Sequence, residues 1–192
     1  MINKLIAAFV GIAFTGLAFS HADAGMKVRM GTEGAYPPFN NVDADGKLVG
    51  FDVDIGNAIC EAAKFECTWV IQDWDGIIPG LLAKKFDTIL ASMSITAERK
   101  EKVDFSDMYY STPAKFFAKK GAGITITKSG LKGKTIGVQR ATIHENFARD
   151  NFGDVADIKS YATQDEVYLD LASGRLDTGI ADSVAVVEGF IQ

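Results

Sequence analysis

The 192-residue chain is 47% hydrophobic, 23% charged and 10% aromatic, with 25 acidic against 20 basic side chains and a net charge of -5. That apolar content excludes a disordered polymer, and 19 glycines without a triplet period exclude a collagen-like chain. The acidic balance argues against nucleic acid or an anionic membrane surface as the main partner, because phosphate recognition needs a basic face.

The first 24 residues read as a secretory signal: Lys4, then 15 mostly apolar residues from Leu5 to Phe19, then the small-x-small site Ala22-Asp23-Ala24. Fifteen residues with two glycines are too few to span a bilayer, so removal rather than anchoring is expected, and the exported chain is read as soluble. Cys60 and Cys67 lie in that exported part, where an even count in an oxidising compartment favours a disulfide. A metal reading needs more ligands, and neither His21 nor His144 has a suitable spacing; no metal and no cofactor are expected.

In chain order, Lys27–Gly31 reads as a strand running into Thr32-Glu33-Gly34, and Lys47–Phe51 as a second strand after the Asp45-Gly46 turn. Asp52 is expected to cap a helix whose Ile55, Ala58, Ile59 and Ala62 recur at helical spacing and would form its buried face. Then come a strand Phe65–Ile71, a helix Gly76–Lys85, a strand Thr88–Ala91 and a short helix Glu98–Glu101. Tyr109–Lys119 reads as extended, with Ser111-Thr112-Pro113 a hinge or crossover before the Gly121/Gly123 loop. The alternation resumes with strand Thr135–Val138, a helix from Thr142 and strand Asp157–Tyr161. A helix follows from the capping box Thr163-Gln164-Asp165-Glu166 to Gly174, then strand Asp177–Ala181 and an apolar helix from Ser183. Such alternation builds open, mostly parallel sheets covered by helices.

Phe86-Asp87-Thr88-Ile89-Leu90-Ala91-Ser92 echoes Leu176-Asp177-Thr178-Gly179-Ile180-Ala181-Asp182, which sets Ser92 and Asp182 at equivalent places beyond the carboxyl ends of strands. Ligands of open α/β sheets sit at that edge. The residues expected there are Glu33, Tyr36, Trp74, Ser92, Ser94, Arg99, Thr142 and Asp182, a set suited to gripping a zwitterion. Arg99, helped by backbone N–H groups near Ser94 and Thr142, offers a fork to a carboxylate. Asp182 accepts from an ammonium group with Ser92 as helper, Tyr36 and Trp74 flank a side chain, and Glu33 suits a positive far end. Each has a plainer reading: Arg99 in a solvated charged helix, the aromatics as core, Ser92, Thr142 and Asp182 as helix caps. Asn41–Gly46 mimics a calcium loop, but the Pro37-Pro38 pair precedes it and a hairpin turn is favoured; His144 reads as cleft lining.

Several ordered motifs carry a family likeness: Gly31-Thr32-Glu33-Gly34-Ala35-Tyr36-Pro37-Pro38-Phe39, Gly50-Phe51-Asp52-Val53-Asp54, Trp74-Asp75-Gly76-Ile77-Ile78-Pro79 and Ser92-Met93-Ser94-Ile95-Thr96-Ala97-Glu98-Arg99. The chain resembles the periplasmic polar amino-acid-binding proteins of ABC importers, the family 3 solute-binding proteins, and within them the lysine/arginine/ornithine and histidine binders. The resemblance implies an α/β fold of type II with two lobes, each an open mostly parallel sheet flanked by helices, closing on one amino acid. It implies lobe 1 from residues 25–111 and lobe 2 from 112–192, a monomer in the periplasm, and membrane permease subunits as partners. It also implies the roles already assigned to the eight residues, and matches Cys60 and Cys67 to a disulfide of the basic amino-acid binders. Ala91, Gln139 and His144 depart from the residues common at those positions, and Glu33 replaces an aspartate. Relatives run on through a second crossover back to lobe 1, whereas this chain stops at Gln192 inside the helix after Asp182, so the last part of lobe 1 is expected to be missing. An enzyme on the same scaffold, a prephenate or arogenate dehydratase with Glu33 as the acid, is the alternative.

Overall fold

A computed structural model describes residues 25–191. The signal-sequence reading of residues 1–24 lies outside the described residues, among which no helix is long and apolar enough to cross a membrane.

The first sheet is parallel, in the order β5-β1-β6, with β1 (Lys27–Thr32) in the middle, β5 (Glu66–Ile71) on one side and β6 (Thr88–Ile89) on the other. β1 is exposed where it starts and buried where it ends, so the carboxyl edge of the sheet is the covered one. Between β1 and β5 the chain makes an antiparallel meander of β2 (Ala35–Tyr36), β3 (Asn40–Val42) and β4 (Leu48–Val49). Its Asn41–Gly46 segment is the hairpin turn, with Asp43 Oδ1 accepting from the Asp45 and Lys47 amides at 3.0 and 2.8 Å. This use of the aspartate as a turn acceptor is ordinary Asx chemistry.

Helix α1 (Phe51–Ala63) corrects two expectations. Its N-cap is Gly50, no side chain caps it, and Asp52 lies one position inside, fully buried. Its buried face is Asp52, Val53, Gly56 and Cys60, while Ile59 stays 53% exposed. The helix approaches β5 closely at Gly56, where a Cβ would stand 2.6 Å from the Trp69 ring, and the Cys60–Cys67 disulfide ties it to the same strand. Those two anchors turn the helix away from the face that apolar spacing alone favours.

A 3-10 turn (Trp74–Gly76) leads into α2 (Ile77–Leu82), and Trp74, Ile77, Phe86 and Ala91 form a core under β6. Helix α3 (Ala97–Lys100) is capped by Thr96, whose hydroxyl accepts from the Arg99 amide. An extended passage then reaches the second sheet, ordered β7-β10-β8-β9. There β7 (Ala114–Phe117) is antiparallel to β10 (Thr178–Asp182), whereas β8 (Thr135–Gln139) runs parallel to both β10 and β9 (Asp157–Tyr161). Helices α4 (Ile143–Phe152) and α5 (Gln164–Ala172) cover it from positions set by Thr142 and by the Thr163–Glu166 capping box. Two cores result, one around Leu131, Ile136, Val138, Ala148, Phe152 and Ile180, the other around Phe117, Val167, Tyr168, Leu171, Leu176 and Val186. The chain continues as α6 (Ser183–Val186) and a π-helical turn (Val187–Ile191).

Candidate functional site

The carboxyl ends of β1, β6, β8 and β10 lead to Glu33, Ser92, Gln139 and Asp182, and all four residues line one cavity between the two sheets. The eight residues singled out in the sequence are all on its wall: Glu33, Tyr36, Trp74, Ser92, Ser94, Arg99, Thr142 and Asp182. Ala91, Gln139, Ile143 and His144 complete it. The cavity holds only about 30 Å³, so the opposing polar groups reach one another. A larger hollow of about 560 Å³ opens beside it along Asp87–Ile95 and Val103–Thr112, but its wall comes mostly from the first half of the chain. The smaller cavity draws charge from both halves and is the chemically organised one.

Arg99 stands at one end. Its Nη1 donates to Ser94 O at 2.8 Å and its Nη2 to Ala141 O at 3.2 Å, with the guanidinium 5.4 Å above the Trp74 ring. The plainer reading of Arg99 as one member of a solvated charged face therefore does not hold. Burial lowers its pKa from the usual arginine value, with Glu98 opposing. Trp74 is buried and its Nε1 donates to Ala141 O at 3.1 Å, so that one carbonyl of the second half receives two donors from the first. Thr142 is an N-cap as well as cavity wall: its hydroxyl accepts from the Glu145 amide at 3.1 Å and donates to Gln139 O at 2.7 Å. The start of α4, Thr142 to His144, therefore lies on the cavity wall, and a helix N-terminus is a favourable place for a negative group.

Asp182 stands at the other end. It occupies the N-cap position of α6 but makes no side-chain cap bond there. Instead its Oδ2 accepts from the Tyr36 hydroxyl at 2.8 Å, and its Oδ1 lies 3.7 Å from His144 Nε2. Tyr36 stacks on Phe39, which stacks on Tyr110 in the crossover. His144 is buried and its Nε2 has no hydrogen-bond partner.

Ser92 is held from behind by a residue that sequence reasoning placed elsewhere. Asp52, read as a helix cap, is a buried carboxylate accepting from Ser92 Oγ at 2.8 Å, Asn40 Nδ2 at 3.0 Å and Tyr109 Oη at 2.6 Å. Burial raises its pKa while those three donors oppose the rise. The Gly-Phe-Asp-Val-Asp motif was visible, but only the packing of α1 against the crossover turns Asp52 inward. Gln139, a departure from the residue common at its position, donates its Nε2 across the cavity to Glu33 Oε1 at 2.6 Å and to Ala162 O at 3.2 Å. Glu33 is 6% exposed, and burial pushes its carboxyl up to about 7, with Gln139 opposing and Asp165, Asp73 and Asp75 adding to the rise.

The sequence profile of the bacterial extracellular solute-binding proteins, family 3, matches residues 28–170. The L-arginine-binding protein of Pseudomonas aeruginosa is 45% identical over 98% of this chain and 73% of its own length. The lysine/arginine/ornithine-binding periplasmic protein of Escherichia coli is 41% identical over 100% of this chain and 74% of its own. Among solved structures, an ancestral arginine-binding protein bound to arginine superposes with a TM-score of 0.82 at 36% identity, covering 86% of this chain and 74% of that one. An ancestral amino-acid-binding protein described as a precursor of cyclohexadienyl dehydratase gives 0.80 at 33% identity, over 84% and 72%. The fold is the two-lobed α/β arrangement of type II periplasmic binding proteins.

Proposed function

The chain belongs to the bacterial extracellular solute-binding proteins of family 3, and from that membership and the cavity's chemistry we propose that it captures a basic amino acid in the periplasm for an ABC importer. The observation that carries the reading is one cavity with a guanidinium, Arg99, on the first half and a carboxylate, Asp182, on the second. Arg99 and the α4 N-terminus take the α-carboxylate; Asp182 and Ser92 take the α-ammonium. Trp74 and Tyr36 flank the side chain, and Glu33 meets its positive end.

Residues 25–111 act as one jaw and 112–192 as the other, with the hinge in the crossover. A cavity of about 30 Å³ admits no amino acid until the jaws part, so capture and closure are one event. The protein works as a monomer, and membrane permease subunits receive its ligand. Calorimetric titration with arginine, lysine, ornithine, histidine and glutamine tests this; saturable binding of at least one basic amino acid is expected, and none at all overturns it.

One observation favours a second reading, catalysis: Glu33 is a buried acid held near neutrality, as a dehydratase needs for a leaving hydroxyl. Against it, Asp73, Asp75 and Asp165 surround Glu33 with negative charge, which disfavours a dianionic substrate such as prephenate. Incubation with prephenate and arogenate decides, since aromatic product would move the assignment to an enzyme.

A further inference from the structure

We propose that Glu33 selects ligands by charge through proton exchange. Its carboxylate form takes the cationic end of a basic side chain, its protonated form takes a neutral hydrogen-bond acceptor such as an amide oxygen, and each bound cation expels one proton. The inference rests on the amino-acid-binding reading above and deepens it.

The geometry around Glu33 leads there. The side chain is 6% exposed at the end of β1, and the neutral Gln139 amide is its hydrogen-bond partner across the cavity at 2.6 Å. An amide N–H serves a carboxylate oxygen and the carbonyl oxygen of a carboxylic acid alike, so the contact survives either protonation state. The other Gln139 N–H is engaged by Ala162 O at 3.2 Å, which holds the amide in this orientation.

The charges that face Glu33 leave its counter-ion open. Asp73 and Asp75 approach from the turn before α2, and Asp165 from the start of α5. The one cation nearby on the β8 side, Arg140, is ion-paired to Asp75. Arg99 is engaged by Ser94 and Ala141, while Asp182 and His144 face each other farther along the same wall. Among the described residues no Lys, Arg or His makes an ion pair with Glu33. A buried carboxyl among carboxylates, without a resident cation, is neutralised either by a proton or by a cation brought in from solvent. Burial and these neighbours hold both forms accessible near neutral pH.

The exchange balances. A protonated Glu33 meeting a guanidinium or ammonium gives the ion pair, and its proton leaves to the buffer. A protonated Glu33 meeting an amide oxygen donates its O–H and keeps the proton.

Calorimetry on the full chain with arginine and with glutamine, from pH 5 to 8 in two buffers of different ionisation enthalpy, tests this. The ratio of the two affinities is the readout, because groups that grip the shared α-carboxylate and α-ammonium cancel in it. The expected result is a shift of that ratio toward glutamine by roughly tenfold per pH unit, approaching 1,000-fold from pH 8 to pH 5. Arginine should release close to one proton at pH 6, and glutamine none. Glu33→Gln should abolish both the release and the slope. A flat ratio, buffer-independent heats for arginine, release that persists in Glu33→Gln, or arginine binding without glutamine binding at any pH overturns the inference alone. Absence of binding by every amino acid overturns the function proposed above and this with it.

Discussion

Arg99 and Asp182 share a cavity although 83 positions separate them, and each has lost its plainer role: Arg99 is folded over Trp74, and Asp182 does not cap α6. Arg99→Ala would leave a ligand carboxylate unpaired in a closed cleft, a cost of about 3–5 kcal/mol or roughly two to three and a half decades in affinity. Calorimetry measures it, and a loss below tenfold removes Arg99 from the proposed role. Glu33 gives a stability prediction that needs no ligand. Its carboxyl is raised from 4.5 to about 7 in the folded protein, so the fold binds that proton more tightly than the unfolded chain does. Protonation therefore supports the fold at low pH, and that support is lost as pH rises from about 4.5 to about 7. Glu33→Gln keeps the shape without the charge, so its stability advantage over the wild type should widen by about 2–3 kcal/mol between pH 5 and pH 8. Urea unfolding at both pH values checks the sign; equal gaps would show that the buried charge costs nothing.

At the scale of elements, strands and capped helices were legible because their signals are local. Thr142 and Thr163 cap the helices that follow them, and β9 runs over the same residues, Asp157–Tyr161, that the chain pattern suggests, whereas α3 starts one residue before the expected Glu98, behind a Thr96 cap. The face of α1 was not legible, since it depends on what the helix meets: a glycine contact with Trp69 and a disulfide to β5. Removing that disulfide by Cys60→Ser with Cys67→Ser frees a loop of eight residues in the unfolded chain, costing about 2–3 kcal/mol. Thermal unfolding under non-reducing conditions should show a drop of several degrees, and an unchanged midpoint would mean the bond constrains nothing. Close packing also governs β8, where a Cβ on Gly137 would stand 2.3 Å from Leu176 Cδ1 and 2.8 Å from Val167 Cγ1. Gly137→Ala should cost about 1–3 kcal/mol by overpacking, read from the denaturation midpoint.

For the molecule as a whole, the two halves meet mainly through polar groups, with a small apolar cluster of Tyr36, Phe39 and Ala185 shared between them. Tyr36 to Asp182, Glu33 to Gln139, Trp74 and Arg99 to Ala141, and Asp75 to Arg140 bridge them. Such a contact is one a ligand can enter and strengthen. Arginine at a hundredfold excess over its dissociation constant should add about 2.7 kcal/mol to stability and raise the melting point accordingly. Arg140→Ala, at the exposed rim, should weaken binding by less than about fivefold, because an exposed ion pair contributes at most about 1 kcal/mol. The amino-acid order alone settled the βα alternation, most turns, the Thr142 and Thr163 caps and the ordered motifs of the family, and it pointed to the eight side chains that line one cavity. Those follow from neighbours in the chain, whose spacing can be read directly. Which way α1 faces, why Asp52 is buried behind Ser92, and that Gln139 meets Glu33 across the cavity were decided only by packing. Each of these joins segments far apart in the chain, and no local pattern records which distant group a side chain finds when two sheets close on one another.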